Sequence, residues 1–117
     1  AVEIQQRFPR VKVAVGYPKQ PVELVLNATS LGLKTDDPLP LDLGAYPLTE
    51  ARAAYDMIYR PAETSFLGAA KAAGCRVANG IGMLLYQGAR ALEIWTGQEP
   101  PLDPMRAALL ENVYGQR

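Results

Sequence analysis

The sequence predicts an α/β domain built on a parallel sheet. Short β-branched runs alternate with helical or long-loop connections rather than with two-residue hairpins, which is the pattern of a parallel sheet. One run, "VELVL" (Val22 to Leu26), is almost continuously apolar and so suits a strand covered on both faces. Each helical stretch after it also carries its own start or stop signal.

At the N-terminus, "AVEIQQRF" sets Ile4 and Phe8 one helical turn apart and stops at Pro9, so it reads as the last turns of a helix. "VKVAV" (Val11 to Val15) is then predicted as a strand, followed by the turn-rich "GYPKQP" and the strand "VELVL". "NATSLGLKTDDPLPLDLGAYP" reads as a long loop from its Asn, Gly and Pro content, and long ordered loops are usually functional. A strand over "AYDMIY" (Ala54 to Tyr59) leads through Arg60-Pro61 to a helix capped by Thr64 and ended by Gly74. The last strand lies in "CRVANGIGMLLYQGA", residues 75 to 89. Two helices close the chain, about Met83 to Thr96 with Gly97 as its stop, and about Asp103 to Tyr114 with Asp103 as N-cap and Pro104 in the first turn. No internal repeat or low-complexity segment interrupts this single domain.

Composition removes several function classes. The 117 residues are 49% hydrophobic and 21% charged, ordinary for a globular domain. Twelve basic residues balance twelve acidic ones without a basic run, so electrostatics argue against nucleic acid as a partner. No apolar stretch approaches the roughly 20 residues of a membrane helix, and no signal-peptide layout opens the sequence, so no membrane association is expected. The single Cys75 allows no internal disulfide and sits in an apolar run, which predicts a buried, inert thiol and a reducing, cytoplasmic setting. There is no histidine, which takes away the commonest general base and metal ligand, and no metal site is expected.

The stretch "NGIGM" (Asn79 to Met83) raises a dinucleotide-loop reading, because glycines between a strand and a helix let the backbone approach a phosphate. That fingerprint needs G-x-G-x-x-G inside a strand-helix-strand unit. Here the third glycine position holds Leu85, and two helices with no further strand follow. The phosphate-loop reading fails. Two others stay open: a glycine turn at the carboxyl end of a strand, where open α/β sheets bind ligands, and a tight strand-to-helix turn with a purely structural reason.

Four motifs in order, "NATSLGL", "YDMIY", "NGIGMLLYQGA" and "EIWTG", resemble the C-terminal part of the shikimate dehydrogenase family, from about Ala1 to Leu110. The resemblance implies a partial Rossmann-like doubly wound parallel sheet, about strands three to six, with residues 83 to 117 forming the C-terminal helices. It implies NADP as cofactor and shikimate and 3-dehydroshikimate as small-molecule substrates, interconverted in aromatic amino-acid biosynthesis. Met57 and Met83 would lie near the nicotinamide, and the Gly80 carbonyl would accept from its carboxamide. Ala28, Thr29 and Ser30 would line the cofactor, while Tyr59 and Gln87 would bind substrate. Each role has a plainer rival: Tyr55, Met57 and Tyr59 share one strand face as a core stripe would, and Gln87 borders an apolar helix stripe as a solvated residue can. Asp56, on the opposite strand face, reads as a structural hydrogen-bonding carboxylate.

The resemblance also implies what these residues do not include. The family's glycine-rich phosphate loop, adenosine clamp and N-terminal substrate domain have no counterpart here, and the catalytic Lys and Asp belong to that domain, so no catalytic residue is assigned. In the family strand order 3-2-1-4-5-6, strands one and two would fall between "VKVAV" and "VELVL", leaving a gap of about 10 Å at roughly 4.8 Å per strand. The edge beside "VELVL" is therefore expected to pair with a second copy, giving a homodimer. The alternatives are a quinate/shikimate dehydrogenase using NAD, and a non-catalytic, self-associating α/β domain.

Overall fold

A computed structural model describes residues 1–115 of the chain. The elements run α1 (Val2–Arg7), β1 (Val22–Asn27), β2 (Ala51–Asp56), α2 (Ser65–Ala72), β3 (Arg76–Ala78), α3 (Ile81–Thr96) and α4 (Leu102–Tyr114). A short 3-10 turn, Leu48–Glu50, leads into β2. The three strands form one parallel sheet in the order β1-β2-β3, with Val25 opposite Ala54, Asn27 opposite Asp56, and Ala54 opposite Val77. The α/β class and the parallel pairing agree with the sequence expectation. The two closing helices do as well, although Gln116 and Arg117 of the predicted 83–117 segment lie outside the described residues.

One face of the sheet carries the core. Phe66, Leu67 and Ala70 of α2 pack with Ala51 and Ala54 of β2, Leu48 and Cys75, and Val22, Val25 and Val77 close the margins. Phe66 and Leu67 are buried to 1% and 2% exposure, and burial of side chains this large contributes about 1.5–3 kcal/mol each. The Cys75 thiol donates toward the carbonyls of Leu48 and Ala51 inside this core, as expected of an inert buried cysteine. Thr64 caps α2 by accepting from the Leu67 N–H at 3.2 Å, and the chain leaves the helix through Gly74 at φ +90°, a left-handed value that favours glycine.

Four sequence expectations are corrected. "VKVAV" is not a strand: Val11 and Val13 are held by the Gln5 side chain, whose amide donates to the Val11 carbonyl and whose oxygen accepts from the Val13 N–H. A strand needs a ladder, and no neighbouring strand offers one among the described residues, so the sheet has three strands rather than four. β1 is not covered on both faces, since Leu24 and Leu26 stand 55% and 51% exposed on the face opposite α2. β2 ends at Asp56, three residues before Tyr59, because its carboxylate turns the chain there. Finally, α4 starts at Leu102 after Pro101, and Asp103 lies inside its first turn rather than capping it.

The molecule is open in shape. Its radius of gyration is 17.2 Å, whereas a compact domain of this length has about 13 Å. Its accessible surface is 8864 Å², against about 6,200 Å² for a compact monomer of its mass.

The junction of β3 and α3 is the tightest crossing. Gly80 has an ordinary φ of −76°, so its dihedrals would admit any residue. What excludes a side chain is proximity: a Cβ at Gly80 would lie 2.0 Å from the Met57 carbonyl oxygen and 2.7 Å from its carbon. The Gly80 N–H donates to the Ile58 carbonyl at 3.2 Å across the same contact. Gly80→Ala therefore forces backbone apart, and we expect it to cost about 1–3 kcal/mol without any ligand present. Chemical denaturation of the purified chain checks this; an unchanged midpoint would contradict it.

Candidate functional site

At the carboxyl end of β1 and β2, the side chain of Asn27 shapes the first loop. Its oxygen accepts from the Thr29 N–H at 3.1 Å and the Thr29 hydroxyl at 2.7 Å, a turn in which asparagine mimics the backbone. Its amide donates to the Leu31 carbonyl at 3.0 Å and to Asp56 Oδ1 at 3.2 Å. Asp56 is fully buried, and beyond Asn27 it accepts from the Ile58 N–H at 3.0 Å and the Thr64 hydroxyl at 2.6 Å. Both chain segments leaving the sheet are thus bent outward by one polar cluster, and a cleft opens between them.

That cleft has a volume of about 460 Å³, within the roughly 300–1,000 Å³ of small-molecule sites, and is lined by Ala28, Thr29, Leu33, Met57, Ile58, Tyr59 and Arg60. Four of the sequence-predicted site residues, Ala28, Thr29, Met57 and Tyr59, therefore meet in one place. Ser30 follows on the same loop and is exposed, but it is not part of the lining. Gly80 sits behind the cleft against the Met57 main chain, and its carbonyl already accepts the first bond of α3 from the Leu84 N–H at 3.1 Å. Met83 and Gln87 are exposed, one turn apart on α3, and lie outside the lining.

Several contributors escaped the sequence reading. Leu33 and Arg60 line the cleft, and Asn79 and Tyr114 brace its far side through hydrogen bonds to the 59–62 segment. Asn27 carried a local signal, an asparagine just past an apolar run, whereas Tyr114 carried none, being 55 residues away from Tyr59. The peptide between Arg60 and Pro61 is cis. No group of three or more His, Cys, Asp or Glu placed to hold a metal occurs among the described residues. No helix among them is long and apolar enough to cross a membrane.

The rim loop has its own electrostatic tie. Gly32, at φ +115°, presses onto Ile58 and Thr64, so a side chain there would meet both backbone strain and contact at 3.3 Å. Asp37 Oδ2 accepts from the Gly32 and Lys34 N–H groups at 3.0 Å each. These bonds, the Lys34 amide foremost, hold the Asp37 carboxyl below its ordinary pKa. A lowered carboxylate pKa supports the loop above the unfolded value and loses that support as pH falls through the folded one. We expect the Gly32 and Lys34 amide shifts to titrate together, with a midpoint below that of free aspartate. A midpoint at or above the free value would contradict the tie.

Comparison with known proteins places this geometry in context. The sequence profile of the shikimate 5'-dehydrogenase C-terminal domain matches residues 80–110. Shikimate dehydrogenase (NADP(+)) of Nitrobacter hamburgensis is 47% identical over 88 residues, covering 75% of this chain and 30% of that protein. Among solved structures, the shikimate 5-dehydrogenase of Thermus thermophilus in complex with NADP(H) and shikimate aligns with a TM-score of 0.64 at 41% identity, over 74% of this chain and 33% of that one. The quinate dehydrogenase of Corynebacterium glutamicum in complex with NAD aligns at 0.67 and 31% identity, over 76% and 31%. The chain thus spans about a third of the length of the relatives it matches. In sequence and in fold it corresponds to the C-terminal portion of the shikimate dehydrogenase family.

Proposed function

We propose that this chain forms the nicotinamide-side part of an NADP-dependent shikimate dehydrogenase, a cytoplasmic oxidoreductase that reduces 3-dehydroshikimate to shikimate. The observation that carries the reading is the convergence of Ala28, Thr29, Met57 and Tyr59 on one cleft at the carboxyl end of a parallel sheet. The lining fits a flat heteroaromatic ring, since Leu33, Met57 and Ile58 offer apolar surface and Thr29, its hydroxyl proton spent on Asn27, an acceptor oxygen at the margin. NADPH would supply a hydride there. Met57 and Met83 would pack the ring, the Gly80 carbonyl would accept from its carboxamide, and Ala28, Thr29 and Ser30 would follow the cofactor outward. Tyr59 and Gln87 hold the substrate hydroxyls. Proton transfer falls to the Lys and Asp that the family carries outside the matched region, so the chain alone turns over no shikimate.

Shikimate titrated into the labelled chain should shift the Tyr59 and Gln87 resonances, and nicotinamide mononucleotide those of Ala28 to Ser30, Met57 and Gly80. Gln87→Ala should weaken shikimate roughly 2- to 12-fold, the value of one hydrogen bond, and leave the nucleotide unaffected. Shifts scattered over the surface, or equal losses for both ligands, would contradict the assignment. An NAD-dependent quinate/shikimate dehydrogenase is the nearest rival, and the similarity to a quinate dehydrogenase with NAD favours keeping it.

A second reading concerns assembly and rests on the excess surface. The edge of β1, which no strand covers among the described residues, and the exposed Leu24 and Leu26 suit a homodimer in which the Val11 to Val15 arm leaves Gln5 and pairs with the other copy's edge. Sedimentation at dilute concentration should give a dimer. A monomer with cooperative unfolding would overturn it.

A further inference from the structure

The cleft wall at Tyr59 is held from a distance. Tyr114, in the last turn of α4, donates its hydroxyl proton to the Tyr59 carbonyl. Having spent that proton, the hydroxyl can only accept further, and it accepts from Asn79 Nδ2 at 2.9 Å. The same amide nitrogen donates to the Ala62 carbonyl at 2.9 Å, and Asn79 Oδ1 accepts from the Ile81 N–H at 3.0 Å at the start of α3. Every polar atom of the Asn79 side chain is engaged. A flipped amide would set its oxygen against the Ala62 carbonyl, so the orientation is fixed by its partners. Arg60 adds a second strand to the clasp, donating to the Val113 carbonyl at 3.1 Å.

Anchoring α4 alone does not account for this arrangement. Although α4 packs along α3, it has no buried residue; its Tyr114 hydroxyl and Val113 carbonyl both bond to the segment that lines the cleft, and its third such bond comes from Asn79, just before α3. The acceptor, moreover, is the main chain of Tyr59 itself, whose position sets where its ring enters the cleft.

We propose that Asn79 and Tyr114 are positioning residues that fix the Tyr59 side of the cleft, so that the end of α4 sets the geometry of the substrate-contacting turn. The substrate part of this statement rests on the reading of the cleft given above. Two variants separate positioning from folding. Tyr114→Phe keeps the ring and removes the hydroxyl. Asn79→Asp keeps the acceptor for the Ile81 N–H but offers an oxygen where the amide donated, which draws the Tyr114 proton away from the Tyr59 carbonyl.

Amide hydrogen exchange on the purified chain reads the result, because the Met57, Ile58 and Gly80 N–H groups are all hydrogen-bonded around this turn. In Tyr114→Phe these three amides should exchange roughly 2- to 12-fold faster, as for one lost hydrogen bond, and in Asn79→Asp, which also loses the bond to Ala62, at least as much faster, while those of Leu24 to Leu26 keep their protection. Unchanged exchange at the three positions, or equal acceleration throughout the sheet, would overturn the proposal. Shikimate added to the wild-type chain tests the ligand reading separately. No shift at Tyr59 would count against the substrate, whereas the exchange pattern still judges the clasp.

Discussion

A buried carboxylate surrounded by uncharged donors organises the working end of this molecule. Asp56 is wholly removed from solvent, and no cation pairs with it among the described residues. A group of this kind is tolerated only when its oxygens are fully used, and here three donors from three segments use them: Asn27, the Ile58 N–H and Thr64. Each donor has a second task. Asn27 bends the first loop around Thr29, Ile58 carries the chain out of β2, and Thr64 caps α2. The cleft is the space that the two outward turns, after Asn27 and after Asp56, leave between them.

From that cluster the rest of the site follows by contact. Turning the chain at Ile58 brings the Met57 carbonyl against Gly80, and only a residue without Cβ can occupy that position. The glycine turn thus has a packing reason that is present without any ligand. Gly80 is itself buried, its N–H donating to Ile58 and its carbonyl accepting from Leu84, so a cofactor role would fall to the second lone pair of that carbonyl. The same residue joins the sheet to α3, whose N-terminal bond its carbonyl accepts.

Local chemistry made much of this legible in the sequence. Thr64, Gly74 and Gly97 announced helix ends through capping and left-handed turns, and all three act so. Asp56 was readable as structural because it alternates with the apolar face of its strand. What failed was everything that depends on a neighbour. "VKVAV" has strand propensity but no ladder to join, and the alternation through Tyr55, Met57 and Tyr59 was carried past the point where Asp56 ends the strand. The Asn79, Tyr114 and Tyr59 chain was invisible because its bonds join residues 35 and 55 positions apart. Periodicity has no access to such distances.

Coupling between Asn27 and Asp56 tests the account most directly, since the cleft exists only if the two loops are tied through that pair. Denaturant unfolding of Asn27→Ala, Asp56→Ala and the double variant forms the cycle. Partners in one buried network couple by about 0.5–3 kcal/mol, and we predict non-additivity of at least about 1 kcal/mol. Effects that add within about 0.3–0.5 kcal/mol would show that the two loops are set independently, and would contradict the central role given to Asp56.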